Sequence, residues 1–326
     1  MVIGEIDYAR LRDEIVKRGF NRVLIQLPEG LKQYATEIAD SLGEFEVYID
    51  AEPCYGACDV NVQKDKLTVQ FGHSEIPNIN YPDNVIFVEL FSSAKFEVVV
   101  DSFLSKVNCE RIGIVASVQH VKEIDHVKKM IEEYGRRAFV GIGDSRIRYP
   151  GQILGCNFSS ARNIANIVDC FAFLGTGKFH ALGVRITTGK RTYVLDPYTN
   201  RVFDVEDDAD RFMRQRFGAI AIAEKAERFG IIISTKIGQR RERLALALKE
   251  MVENAGLKAY LLYLNNVRPE ELYYEVDVYV NTSCPRVTYD DYLRFPKPVI
   301  SPQELQIALK YRLWEQYSFD EIVQVD

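Results

Sequence analysis

The chain has no apolar run long enough to cross a bilayer. Its longest apolar stretches, such as Phe229–Ile233, are strand-sized, well short of the ~18 residues a membrane helix requires. It also has no excess of positive charge: 41 Lys and Arg stand against 47 Asp and Glu, for a formal net charge of −6. Without a basic face to neutralise phosphates, general nucleic-acid binding is excluded. The segment Met1–Asp7 has neither the basic start nor the apolar core of a secretory leader, so a cytoplasmic protein is expected. No two cysteines form a local Cys-x₂-Cys clip. A chain that is 47% hydrophobic over 326 residues can bury a large core without staples, and a reducing cytosol would not keep disulfides.

What is present is an alternation of β-rich runs and helix-length segments. Arg22–Leu27, Glu46–Asp50, Leu67–Phe71 and Asn84–Glu89 read as strands, with a helix over Leu31–Leu42. The pattern restarts at Arg111–Ala116, with a helix over Val121–Tyr134 and strands at Ala138–Ile142, Cys170–Leu174 and Arg191–Leu195. It restarts again at Phe229–Ser234, with a helix over Arg240–Ala255 and strands at Ala259–Tyr263, Val276–Val280 and Pro298–Ile300. Strands separated by helices imply βαβ units and parallel sheets. At ~150 residues per domain the length alone predicts two or three domains. The restarts favour three related α/β units, over 1–100, 101–200 and 201–326, with Val202–Glu224 as a linker helix. Parallel sheets bind ligands at the carboxyl ends of their strands, so three units around a common axis would converge their loops on one centre.

Six cysteines then divide by position. Cys58, Cys156 and Cys284 each lie in a Gly-, Pro- or polar-rich loop after a strand, one per unit. Cys109 precedes a strand and Cys170 opens one, so both read as inert core thiols. Cys54, four residues before Cys58 in the same loop, is ambiguous between a spare thiol near the site and a rival to Cys58. Three soft thiolates from three units suit zinc or an iron–sulfur cluster, but structural zinc wants four ligands, usually in local pairs. A [4Fe–4S] cluster held by three cysteines keeps one iron open. Composition alone leaves open that all six are ordinary thiols.

The motifs Cys54-Tyr-Gly-Ala-Cys-Asp59, Phe71-Gly-His-Ser74, Leu154-Gly-Cys-Asn157, Gly177-Lys-Phe-His180, Ser234-Thr-Lys-Ile-Gly-Gln239 and Cys284-Pro-Arg286 resemble, as a set, the 2-(3-amino-3-carboxypropyl)histidine synthase family of diphthamide biosynthesis. The resemblance spans nearly the whole chain. It implies three related parallel-sheet α/β domains around a pseudo-threefold centre, with Cys58, Cys156 and Cys284 holding a [4Fe–4S] cluster. It further implies S-adenosylmethionine (SAM) on the open iron, cleavage of its sulfur–Cγ bond, and addition of the 3-amino-3-carboxypropyl radical to C2 of a histidine in elongation factor 2. The products are the first diphthamide intermediate and methylthioadenosine. A homodimer, a separate electron donor and a cytoplasmic location complete the expectation. In keeping with this unusual bond choice, the Cys-x₃-Cys-x₂-Cys motif of ordinary radical-SAM enzymes is missing: Asn61 stands where its third cysteine would be.

The residues allow these roles. The strand-to-helix loop Ser234–Gln239 offers backbone amides and a helix start to a carboxylate or ribose. Gly238 permits close approach there, and Ser234, Thr235, Lys236 and Gln239 add contacts. His73 and His180 follow third-strand ends and are candidates for the base that accepts the imidazole proton. His120 and His126 read as solvated. Arg286 is a candidate partner for the SAM carboxylate, and Glu29 a weaker candidate at the centre. The competing readings are a quinolinate synthase-like [4Fe–4S] dehydratase, a non-catalytic partner subunit that binds elongation factor 2, and a zinc-dependent or cofactor-free α/β binding protein.

Overall fold

The computed structural model describes residues 6–290 and 292–326. Residues 1–5, which carry most of the segment read as lacking a leader, lie outside them. Three sheets form the frame. The first contains β1 (Arg22–Gln26), β2 (Glu46–Ile49), β3 (Leu67–Phe71) and β4 (Val85–Val88), in the order β2-β1-β3-β4. The second contains β5 (Arg111–Ala116), β6 (Arg137–Val140), β7 (Cys170–Leu174), β8 (Arg191–Asp196) and β9 (Arg201–Asp204), in the order β6-β5-β7-β8-β9. The third contains β10 (Arg228–Ser234), β11 (Lys258–Leu264), β12 (Val278–Asn281) and β13 (Val299–Ile300), in the order β11-β10-β12-β13. The first four strands of each sheet therefore share one order and are all parallel, so the expected α/β class and the restart of the pattern are both present. The strands β3, β7 and β12 are buried along their whole length. β7 accordingly reads as a continuous apolar run, whereas β3 buries Thr68 and Gln70 and β12 buries Asn281.

The departures from the sequence reading have local causes. Two helices begin as 3₁₀ turns, Glu29–Tyr34 before Ala35–Ser41 and Val118–Glu123 before Ile124–Glu133, a common way for a helix to start after a tight turn. Val202 is not helical. Asp196 Oδ1 accepts from the backbone of Tyr198 and Thr199, and Asn200 takes a left-handed φ of 53°. This Asx turn folds β9 back, antiparallel, on β8, so the middle sheet runs past residue 200. The linker helix follows as Glu206–Ala223, with Phe212 in the middle core and Ile220 and Ala223 in the third. At the other boundary, the helix Glu97–Lys106 sends Val100, Phe103 and Leu104 into the core under β5.

Two expectations are corrected outright. Cys109 and Cys170 are a disulfide, not separate thiols. Ile112 of β5 pairs with Cys170 of β7, which sets the residues entering the two strands side by side. His120 is buried, with 3% exposure, between Phe96 and Tyr198. The 3₁₀ turn and the Asp196–Asn200 hairpin cover a position that a regular exposed helix start would have left in water. His126 stays on the surface beside Glu97.

The last ten residues strap the units together. Ile322 N–H donates to Cys156 O at 2.8 Å, Asp320 pairs with Arg241 at 2.6 Å, and Asn78 Nδ2 donates to Val323 O at 2.8 Å. Within the third unit, Arg216 and Glu304 form an ion pair at 2.6 Å that is almost completely withdrawn from solvent. The Arg216 guanidinium also donates to the Thr288 and Val299 carbonyls, which compensates part of the desolvation such a pair suffers.

Candidate functional site

Cys58 lies beyond β2, Cys156 beyond β6 and Cys284 beyond β12, all past the carboxyl ends of parallel strands. The correspondence is not strict, because Cys284 follows the third strand of its unit and the other two follow the second. Both kinds of loop still reach the same edge of a parallel sheet. All three thiols, with Cys54, line one cavity of about 660 Å³.

The Cys58 and Cys156 loops are held by bonds both within and between units, and the Cys284 loop by bonds within its own unit. Cys58 O accepts from Gly238 N–H at 3.1 Å, Ala57 O from Tyr81 Oη at 2.9 Å, and Asp59 O from Gln26 Nε2 at 3.0 Å. The Asp59 carboxylate pairs with Lys236 Nζ at 2.7 Å, with both side chains nearly buried. Cys156 takes the Ile322 amide, and neighbouring Asn157 donates to Asp144 at 2.9 Å. Before Cys284, the buried Arg241 guanidinium donates to the Thr282 carbonyl at 2.7 Å and the Ser283 carbonyl at 3.1 Å. Asn281 Nδ2 donates to Cys284 O at 2.8 Å. Side chains fixed in this way are pre-organised to hold a ligand.

The electrostatics show the three sulfurs to be neighbours. Burial pushes all three thiols above the ordinary range, Cys284 to about 11. Next to burial, the charges of Cys284 and Cys156 raise Cys58, and that of Cys156 raises Cys284. As thiolates, three like charges in low dielectric would need a cation among them. Each sulfur also has a nitrogen beside it. Gln239 Nε2 donates to Cys58 Sγ at 3.3 Å, Arg146 acts on Cys156, and the Arg286 amide on Cys284. Among the described residues no three His, Cys, Asp or Glu side chains close around a single metal ion.

A family model described as "Putative diphthamide synthesis protein" matches residues 27–318. The chain belongs to this diphthamide synthesis family. It is 35% identical to 2-(3-amino-3-carboxypropyl)histidine synthase of Pyrococcus horikoshii, covering 99% of this chain and 95% of that protein. The synthase of Methanocaldococcus jannaschii is 26% identical over 94% of this chain and 88% of its own. Subunit 1 of the human synthase is 29% identical over 90% and 69%. A solved structure of Dph2 from Pyrococcus horikoshii with a 4Fe-4S cluster superposes with a TM-score of 0.91 at 34% identity, covering 99% of this chain and 96% of that one.

In this family member the remaining expected site residues fall into two groups. Lys236, Gln239, Arg286, His73 and His180 line the cavity, as does Glu29. Ser234, Thr235 and Gly238 do not. Ser234 is fully buried and its Oγ accepts from the Lys236 amide, Thr235 donates to Asn265, and Gly238 is packed against Cys58 itself. The 234–239 loop thus grips the Cys58 loop. Arg286 is in an i,i+4 ion pair with Asp290 at 2.8 Å and lies over the Phe179 ring. His180 stacks on Phe173. His73 Nδ1 lies 2.5 Å from Gln70 Nε2, which also reaches Cys54 Sγ at 3.3 Å. Burial lowers both histidines to about 4, so both rings are neutral near pH 7.

Sequence reading of the diphthamide synthesis fold missed Arg146, Arg241 and Asp320. No motif flags them, because arginines and aspartates in loops are usually solvated. Their role exists only through contacts between residues 41 to 92 positions apart.

Proposed function

We propose that this chain moves the 3-amino-3-carboxypropyl group of S-adenosylmethionine to C2 of a histidine in elongation factor 2, the first step of diphthamide biosynthesis, with Cys58, Cys156 and Cys284 as the ligands of a [4Fe–4S] cluster. The observation that carries this reading is the convergence of one loop thiol from each of three sheets on a single cavity. The donor set fits: three thiolates with nitrogen donors beside them suit an anionic iron–sulfur group. When bound, such a cluster would supply the electron for cleaving the SAM sulfur–Cγ bond and an open iron for the substrate.

The protein's own share is positioning. Lys236, fixed by Asp59, puts a cation in the cavity wall beside the Cys58 loop. Arg286 and Arg268 add positive charge on the third-unit side, where a substrate carboxylate would be received. His180 is the better proton acceptor of the two histidines, since His73 Nδ1 already faces Gln70. A neutral imidazole is available to take the proton lost from the modified ring, although its low pKa makes the driving force small. The protein is proposed to work in the cytoplasm as a homodimer supplied by a separate electron donor, as the family resemblance implies.

The test is anaerobic reconstitution followed by reaction with dithionite and SAM, with and without elongation factor 2. The expected results are about four iron per chain and methylthioadenosine. Formation of 5′-deoxyadenosine would overturn the bond choice, and quinolinate from iminoaspartate would move the protein to the dehydratase class. Alanine at Cys58, Cys156 or Cys284 should abolish iron loading. Loss of iron in Cys54→Ala with retention in Cys58→Ala would reassign the ligand.

A further inference from the structure

Arg146 has no role in the reading above, yet it is the most unusual side chain near the cysteines. It sits in the loop between β6 and Cys156 and is 1% exposed, among the largest fully buried side chains of the protein. A buried guanidinium normally has a carboxylate partner. Arg216 and Arg241 obey this rule through Glu304 and Asp320. Arg146 does not. Its Nη2 donates to Gly238 O at 2.8 Å, while Nε and Nη1 are buried with no hydrogen-bond partner among the described residues. Gly238, whose carbonyl it holds, is packed directly against Cys58.

The position is fixed from three sides. The residue comes from the second unit, and its own amide is tied to Asp144 Oδ1 at 2.9 Å. It holds the Gly238 carbonyl of the third unit, while the Gly238 amide holds Cys58 O of the first. One guanidinium therefore connects the loops of Cys156 and Cys58 and keeps two nitrogens, Nε and Nη1, without a partner beside them.

We propose that Arg146 is a positioning residue for the cluster, its free N–H groups and charge directed at the bound iron–sulfur group and its thiolates, so that it stabilises the more negative, reduced state and helps retain the cluster. The inference rests on the cluster-binding reading above. Hydrogen bonds to sulfur and nearby charge are recognised means by which a protein sets cluster potentials. A charge-assisted hydrogen bond lost at such a site is expected to shift the oxidised-to-reduced ratio about tenfold, which for a one-electron couple is ~59 mV.

The experiment compares wild type, Arg146→Gln and Arg146→Lys after anaerobic reconstitution. It reads iron and sulfide content, the midpoint potential by redox titration followed by EPR, and the melting temperature before and after loading. Arg146→Gln should bind a cluster with a midpoint about tenfold harder to reduce and should lose iron faster on dilution. Arg146→Lys, which keeps the charge, should lie closer to wild type. Before loading, Arg146→Gln should lose only what the bond to Gly238 O supplies, so its melting temperature should fall less than that of the loaded protein. Equal potentials in all three loaded proteins would overturn the proposal, as would an equal loss of melting temperature in unloaded and loaded Arg146→Gln, which would mark Arg146 as a structural residue only. Failure of the wild type to take up iron would instead overturn the cluster-binding reading itself.

Discussion

Gly238→Ala is the sharpest probe of how the third unit holds the first. At this position glycine is needed for space, since its φ lies outside the left-handed region. An added Cβ would lie 2.4 Å from both Cα and Cβ of Cys58 and 2.9 Å from Ile79 Cδ1. Ordinary contact begins at 3.4 Å, so about 1 Å of separation must be found between two stretches of backbone. Neither yields easily. The Cys58 loop is tied at Ala57 and Asp59, and Gly238 O is tied to Arg146. Overpacking of this kind costs ~1–3 kcal/mol. The larger effect falls on Cys58, whose sulfur must move with its Cα. A displacement of ~1 Å from productive geometry can reduce turnover ~100-fold. Iron loading, methylthioadenosine formation and melting temperature should therefore all fall. Gly218→Ala is the control: it lies in the exposed part of a helix with nothing within 4 Å, and alanine there should stabilise by ~0.5–1 kcal/mol. A Gly238→Ala protein that loads iron and melts like wild type would falsify the close-packing argument.

Three further outcomes are expected. His120 is buried neutral, with burial lowering it to about 4 against an unfolded value near 6.5. The unfolded state therefore binds more protons between these values, so stability is complete above pH 6.5 and is lost as pH falls toward 4, by roughly 3 kcal/mol from this residue. The difference between wild type and His120→Asn in urea unfolding across that window should show it, and parallel curves would refute it. Breaking the Cys109–Cys170 disulfide by Cys109→Ser should cost ~2–4 kcal/mol and leave iron loading unchanged. An unaltered melting temperature, or lost iron, would count against that reading. Glu304→Gln leaves the Arg216 charge buried without its partner and should destabilise by ~3–5 kcal/mol, read from chemical denaturation. A loss below 1 kcal/mol would mean that Arg216 is compensated by the carbonyls alone.

Much of the molecule was legible because its signals are local. The runs at Arg22, Arg111 and Arg228 mark the first strand of each sheet, because strands buried on both faces are rich in apolar residues. Cys58, Cys156 and Cys284 were legible as a trio because loops beyond strand ends are where a parallel sheet presents chemistry. The roles within the 234–239 loop were not. Its composition suits a ligand-binding turn, but Gly238 faces Cys58 and Gln239 reaches the Cys58 sulfur. His120 was misread because its burial depends on Phe96 and Tyr198, which are distant in sequence.

The sequence by itself determined the α/β class, the three restarts and the three loop thiols, since strand periodicity and loop chemistry depend on neighbours within a few residues. Only the tertiary structure decided which side chains surround those thiols. Arg146, Arg241, Asp320 and the strap at Ile322 act across separations that no local pattern records. The same applies to Cys109 and Cys170: adjacency of β5 and β7 made a bond out of two residues that composition assigned to the core.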